Sequence, residues 1–147
     1  MKTTLFTIGY AAHSPDSLFS RLKSKGIERL IDVRELPLSR KKGFSKSALA
    51  ATAAANSIEY RHIKELGVPS VMRHQIRKGG IDRSDYMNSF RDLLRSRRDV
   101  LHETLQLVES KPSCLLCLEA DPVDCHRTVV AEELAMLAPD SLVVEDI

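Results

Sequence analysis

SCLLCLEADPVDCHRTVVAEELAML, residues 113–137, holds a buried strand and the helix that follows it. Residues 113–118 (SCLLCL) form an unbroken apolar run with no polar alternation, which marks a central strand covered on both faces of a parallel sheet. Pro112 closes the helical pattern before it. Beyond the strand, Asp121 before Pro122, or Asp124 before Cys125, offers an N-cap for a helix reaching Leu137. Residues 141–145 (SLVVE) then read as a last strand.

The same alternation extends toward the N-terminus. Thr3–Gly9 (TTLFTIG) is a β-rich run ended by glycine. Ser14-Pro15 caps a helix whose stripe is Leu18, Phe19 and Leu22, and Gly26 stops it. Residues 27–33 (IERLIDV) are the second strand. A basic loop, RELPLSRKKGF, leads to Ser45, which caps an alanine-rich helix ending near Asn56, with Phe44 and Leu49 spaced as a hydrophobic staple. Residues 58–63 (IEYRHI) are the third strand, and residues 64–83 read as a long loop. Ser84 caps a helix through about Arg98, with Tyr86, Met87, Phe90, Leu93 and Leu94 inward. Residues 99–109 continue as a second helix or a bent extension.

Strand, helix, strand, repeated, predicts a single-domain three-layer α/β/α fold with a mainly parallel sheet of about five strands over residues 1–147. The chain has 147 residues, 43% hydrophobic and 29% charged, enough for one sizeable core. No apolar stretch approaches the roughly 18 residues of a membrane span. The N-terminus reads as a strand rather than an export signal, and three cysteines argue against a disulfide framework. A cytoplasmic location is the expectation. The net charge of +2 hides an asymmetry: residues 1–98 carry 20 Lys/Arg against 9 Asp/Glu, and residues 99–147 carry 2 against 11. Such a split makes either one cationic face or two halves that neutralise each other.

Ligands of open α/β sheets bind beyond the carboxyl ends of the strands. The loops at those ends hold Gly9-Tyr10, Arg34 to Lys42, and Glu119 to Arg127. Cys125, His126 and Arg127 fall in or near the first turn of the last helix, where unpaired N–H groups attract anions and would lower a thiol pKa. Arg127 lies four and seven residues before Ala131 and Leu134, on the apolar side. An inward guanidinium needs a carboxylate or a bound anion, and Glu119 and Asp32 are the protein candidates. The competing account makes Cys125 a small buried hydrophobe and Arg127 part of a structural salt bridge. Asp32 and Arg34 share one face at the end of strand two. Arg34, Ser39 and Arg40 can hold a phosphate or carboxylate, unless the loop is simply a solvated basic one. Tyr60, His62, Arg73, His74, Arg77 and Lys78 could extend a cationic surface.

Several chemistries fail on spacing. A phosphatase-type thiolate loop needs arginine six positions after cysteine; Ala120, Val123 and Ala131 stand there. Cys114 and Cys117, three apart in a strand, point to opposite faces, so no metal site is expected from them with Cys125 and His126. Neither GxGxxG nor a Walker A loop is present, Gly79-Gly80 lacking the rest of either, and no cofactor is expected.

TIGY, LIDVRELPLSRKKGFSKSAL, IEYRHIKELG, YMNSF and LLCLEADPVDCHR resemble, in order, the family catalogued as domain of unknown function 488. The resemblance covers nearly the whole chain and is carried above all by DVRELPLSR together with CLEADPVDCHR. It implies that Asp32, Arg34, Pro37, Ser39, Arg40, Cys117, Glu119, Cys125, His126 and Arg127 are the motif positions. After the leucine-glycine pair, where family members often have a second glycine, this chain reads Leu66-Gly67-Val68-Pro69.

The expected function is an anion pocket for a phosphate-bearing small molecule, nucleotide or nucleic-acid end. Asp32, Arg34, Ser39, Arg40 and Arg127 would bind; if there is catalysis, Cys125 is the nucleophile and Glu119 or His126 the acid/base. The alternatives are a non-catalytic nucleic-acid-binding module, against which the 5% aromatic content speaks, and a thiol or sulfur-transfer enzyme using Cys125.

Overall fold

All five residues of Ser113–Cys117 are buried, and the strand sits at the centre of the sheet. A computed structural model describes residues 2–77, 79 and 82–147, the side chains of Ile76, Arg77 and Asp124 apart. Five strands, β1 (Thr3–Gly9), β2 (Arg29–Asp32), β3 (Glu59–His62), β4 (Ser113–Cys117) and β5 (Leu142–Asp146), form one sheet in the order β3-β2-β4-β1-β5. Every pairing is parallel, with Leu5 and Arg29 both in register with Ser113. Among the described residues six helices connect them: α1 (Pro15–Ser24), α2 (Lys46–Ala55), α3 (Ser70–Arg77), α4 (Arg83–Ser96), α5 (Arg98–Ser110) and α6 (His126–Leu137).

The side-chain alternation of β4 divides the core in two. Cys114 and Leu116 face α1 and α2, packing with Leu18, Phe19, Leu22, Leu49 and Ala53. Leu115 and Cys117 face α4, α5 and α6, packing with Phe90, Leu94, Leu105, Val130 and Leu134. The loop leaving β2 therefore turns to one face of the sheet, toward α2. The loop leaving its neighbour β4 turns to the other, toward α6. A crevice between carboxyl ends whose loops diverge in this way is where open α/β sheets bind ligands.

Three expectations are corrected. Residues 64–83 are not a loop throughout: a 3-10 turn at Lys64–Leu66 and helix α3 occupy much of the stretch, while Lys78 and Gly80 lie outside the described residues. The cap of α4 is Asp82, whose carboxylate accepts from the Asp85 N–H at 2.9 Å, rather than Ser84. Ser45 stands at the N-cap of α2 but makes no capping bond, because its hydroxyl is engaged by Ser39. Among the described residues no helix is long and apolar enough to cross a membrane.

Candidate functional site

The two distant motifs meet at the carboxyl ends of β2 and β4. The chain leaves β4 at Cys117, and Asp121 caps a short 3-10 turn, Pro122–Asp124, by accepting from the Val123 N–H at 2.9 Å. That turn brings Cys125 back beneath the end of β4, where it is the N-cap residue of α6. Asp121 thus caps the turn and not the last helix, and the side chain of Asp124 lies outside the described residues. Gly9, at the end of β1, lets the two backbones touch: a Cβ there would collide with the Glu119 carbonyl.

Arg34 and Asp32 neutralise each other. The Arg34 fork donates to both Asp32 oxygens, at 2.8 and 2.7 Å, and its remaining nitrogen donates to the Phe44 carbonyl at 2.7 Å. The Tyr60 hydroxyl adds a 2.5 Å bond to Asp32, and the ring nitrogen Nε2 of His62 lies 2.6 Å from the Arg34 carbonyl. Burial alone would lower the Arg34 pKa, but the bonds to Asp32 raise it, so Arg34 keeps its charge. Arg34 borders the inner recess of the crevice, yet its charge is already answered within the protein. Tyr60 and His62 buttress this pair rather than extend a cationic surface.

Arg127 points inward, as its position on the helix predicts, and is 1% exposed. Its partners are the carbonyls of Glu119, at 2.5 Å, and Ala120, at 3.4 Å, rather than the carboxylates of Glu119 or Asp32; Asp32 is saturated by Arg34 and Tyr60. Its Nε has no hydrogen-bond partner among the described residues. Arg127 holds the β4–α6 loop in place and does not reach the crevice. Ser39 also turns inward on its own loop, bonding Ser45 through its N–H and accepting from the Lys41 N–H at 3.1 Å.

The crevice itself is a cleft of about 680 Å³. Arg40 from the β2–α2 loop, Arg73 from α3 and Arg83 from α4 stand along it. Leu36, Leu38 and Leu118, at 50%, 72% and 46% exposure, give it apolar walls. Glu35 accepts from the Ser70 N–H at 3.0 Å and lies 3.4 Å from Arg73, which fixes α3 against the β2 loop. Gly67 permits the close approach of that segment to the Glu35 backbone. Tyr86 lines the same cleft; burial and the nearby Glu119 carboxylate push its pKa up to about 12, so its hydroxyl remains a donor at neutral pH.

At the floor, an inner recess of about 190 Å³ is bordered by Cys117, Glu119 and His126. The Cys117 sulfur lies 3.3 Å from His126 Nδ1 and 3.7 Å from a Glu119 carboxylate oxygen. His126 Nε2 is 2.9 Å from the Val33 carbonyl, joining α6 to the end of β2. The His126 and Phe90 rings stand nearly perpendicular, their centroids 5.4 Å apart. Cys125 is buried beside this group, and its hydrogen bond with Cys117, together with burial, pushes its thiol pKa well above the ordinary range. The lowered pKa expected at a helix start does not arise, because the Cys117 bond and burial outweigh the field of the helix end. Cys117 is the thiol that borders the cleft.

Of the residues expected to bind, the cleft therefore gathers Arg40, and of those expected to catalyse, Glu119 and His126; Ser39 and Arg127 stay in supporting contacts. It adds Arg83 and Tyr86, and takes in Arg73, read as part of a cationic surface, and the motif residue Cys117. Tyr86 reads in the sequence only as a core position of α4, and Arg73 sits in a stretch whose short helix goes unread.

The fold and cleft define a doubly wound, all-parallel α/β protein with a ligand-sized crevice at its switch point. The family model of the domain of unknown function DUF488 matches residues 14–134, and the chain belongs to that family. Neither a curated protein nor a solved structure matches it.

Proposed function

We propose that this protein binds a small phosphate-bearing ligand of the nucleotide class in the cleft at the ends of β2 and β4. One observation supports this above the others. Three arginines from three separate elements, Arg40, Arg73 and Arg83, line one cleft together with exposed leucines and Tyr86. Guanidinium groups suit phosphate oxygens, and apolar walls suit a planar base or similar body. A volume of about 680 Å³ admits such a molecule. The cationic role falls first to Arg40, beside Arg83 and Arg73, which also pairs with Glu35; the donors of Arg34 serve the fold, as do those that Arg127 gives to the Glu119 and Ala120 carbonyls.

The non-catalytic nucleic-acid module has less support, because the arginines bend into a walled cleft instead of spreading over an open face. The sulfur-chemistry alternative moves from Cys125 to Cys117, the thiol beside His126 and Glu119 at the floor.

The test is thermal denaturation with nucleoside mono- and diphosphates and with inorganic phosphate. A ligand that binds only the folded chain raises Tm by mass action. Arg40→Ala, at an exposed position, is expected to keep the basal Tm and to lose most of that rise. A wild-type protein that no phosphate compound stabilises, or an Arg40→Ala variant that responds like wild type, would overturn the proposal.

A further inference from the structure

Cys117, Cys125 and His126 have a geometry that neither the arginine cleft nor simple packing requires. Their three donor atoms lie within 4.8 Å of one another. A tetrahedral zinc ion with Zn–S near 2.3 Å and Zn–N near 2.0 Å places its sulfur and nitrogen ligands about 3.6 Å apart and its sulfurs about 3.8 Å apart. The Cys117 sulfur is 3.3 Å from His126 Nδ1 and 3.7 Å from Nε2, so it lies over the ring, and a turn of these side chains would bring both onto one ion.

The imidazole carries a second, independent sign. A backbone carbonyl can only accept a hydrogen bond, so the 2.9 Å contact with Val33 places the proton on His126 Nε2. Nδ1 then keeps its lone pair free for a ligand, with the Cys117 sulfur 3.3 Å away. A ring nitrogen donating to a carbonyl while the other faces the ligand group is the usual support of a metal-bound histidine. Phe90 packs nearly perpendicular to the imidazole.

We propose that Cys117, Cys125 and His126 are the three protein ligands of one transition-metal ion of the zinc type, with a fourth position opening into the cleft beside Glu119. Two thiolates and an imidazole select a borderline or soft ion over magnesium or calcium. Three protein ligands and one open position distinguish a reactive zinc site from a closed structural one. Cys117, Glu119 and His126 all border the inner recess, which supplies both the path of entry and the space for a fourth ligand. Glu119, whose oxygen lies 3.7 Å from the Cys117 sulfur, either completes the coordination or hydrogen-bonds a water that does. Cys114 takes no part, since it faces the opposite core. The sequence argument against a metal held only for a set that included Cys114.

Metal binding does not depend on what the arginines hold, and the test reads the ion alone. Reduced, chelator-stripped full-length protein is titrated with Co²⁺ and then with Zn²⁺. The expected result is one Co²⁺ per chain, with sulfur-to-cobalt charge-transfer absorption and the strong visible bands of a four-coordinate ion, displaced by Zn²⁺. Cys125→Ser and His126→Ala should each weaken binding by more than about 100-fold, beyond what losing a supporting hydrogen bond costs, while Cys114→Ala leaves it unchanged. The wild-type spectrum decides the matter even if a variant fails to fold. No Co²⁺ uptake, a spectrum without sulfur charge transfer, or a Cys117–Cys125 disulfide that persists under reductant would each overturn the site. None of these failures bears on nucleotide binding, which Arg40→Ala tests separately.

Discussion

Asp32 is the residue on which the β2 end depends. It is fully buried and accepts three bonds from Arg34, two from the guanidinium and one from the backbone N–H, and one from Tyr60. Asp32→Asn keeps the shape but leaves the Arg34 charge without its partner, and breaking one side of a buried pair costs about 3–5 kcal/mol. Urea denaturation is expected to show a loss of that size, whereas Ser39→Ala, at a half-buried loop position, should change stability little. Gly9 gives the second prediction at this scale. Gly9→Ala drives a methyl into the Glu119 carbonyl, which Arg127 holds from its other side. Overpacking of this kind costs about 1–3 kcal/mol or more, and the variant should lose ligand-induced stabilisation as well as Tm, because the displaced loop carries Glu119.

Among the elements, the packing of α4 against α6 carries a titratable lock. Glu133 of α6, only 4% exposed, accepts from Arg91 at 2.8 Å and Arg95 at 2.8 Å, both on α4. Burial would raise its pKa, but the two arginines outweigh burial and hold it below the ordinary carboxyl value of 4.5. A carboxyl whose folded pKa is depressed stabilises the fold above its unfolded pKa and loses that contribution as pH falls through the folded one. Tm should therefore hold near neutrality and decline below about pH 4.5, and Glu133→Gln should lower Tm at pH 7 while flattening that decline. β1 coincides with TTLFTIG, a β-rich run ended by glycine, and β4 stops one residue short of the apolar run SCLLCL. Helix α3 goes unread, since its eight residues sit in a stretch whose proline, glycines and scattered basic groups read as loop. The Asp32–Arg34 spacing already placed both side chains on one face of a strand, and mutual pairing is the consequence that spacing carries. The Cys117–Cys125–His126 group depends on a three-residue 3-10 turn that returns the chain beneath β4, and no repeat in the sequence announces such a turn.

For the whole molecule, strand order decides what can fold before what. β1 pairs with β4 and β5, and β2 pairs with β3 and β4, so β1 and β2 have no contact in the sheet except through a strand that arrives some eighty residues later. A fragment ending at Pro112 would have two unpaired edges facing an empty slot. It is expected to show collapsed amide dispersion by NMR and to aggregate, and full-length chain is expected to fold in one cooperative transition. On the ribosome, the emerging N-terminal two-thirds must then wait, exposed and adhesive, for its keystone. The interval between synthesis of residue 62 and residue 117 is the period in which this protein most needs a chaperone.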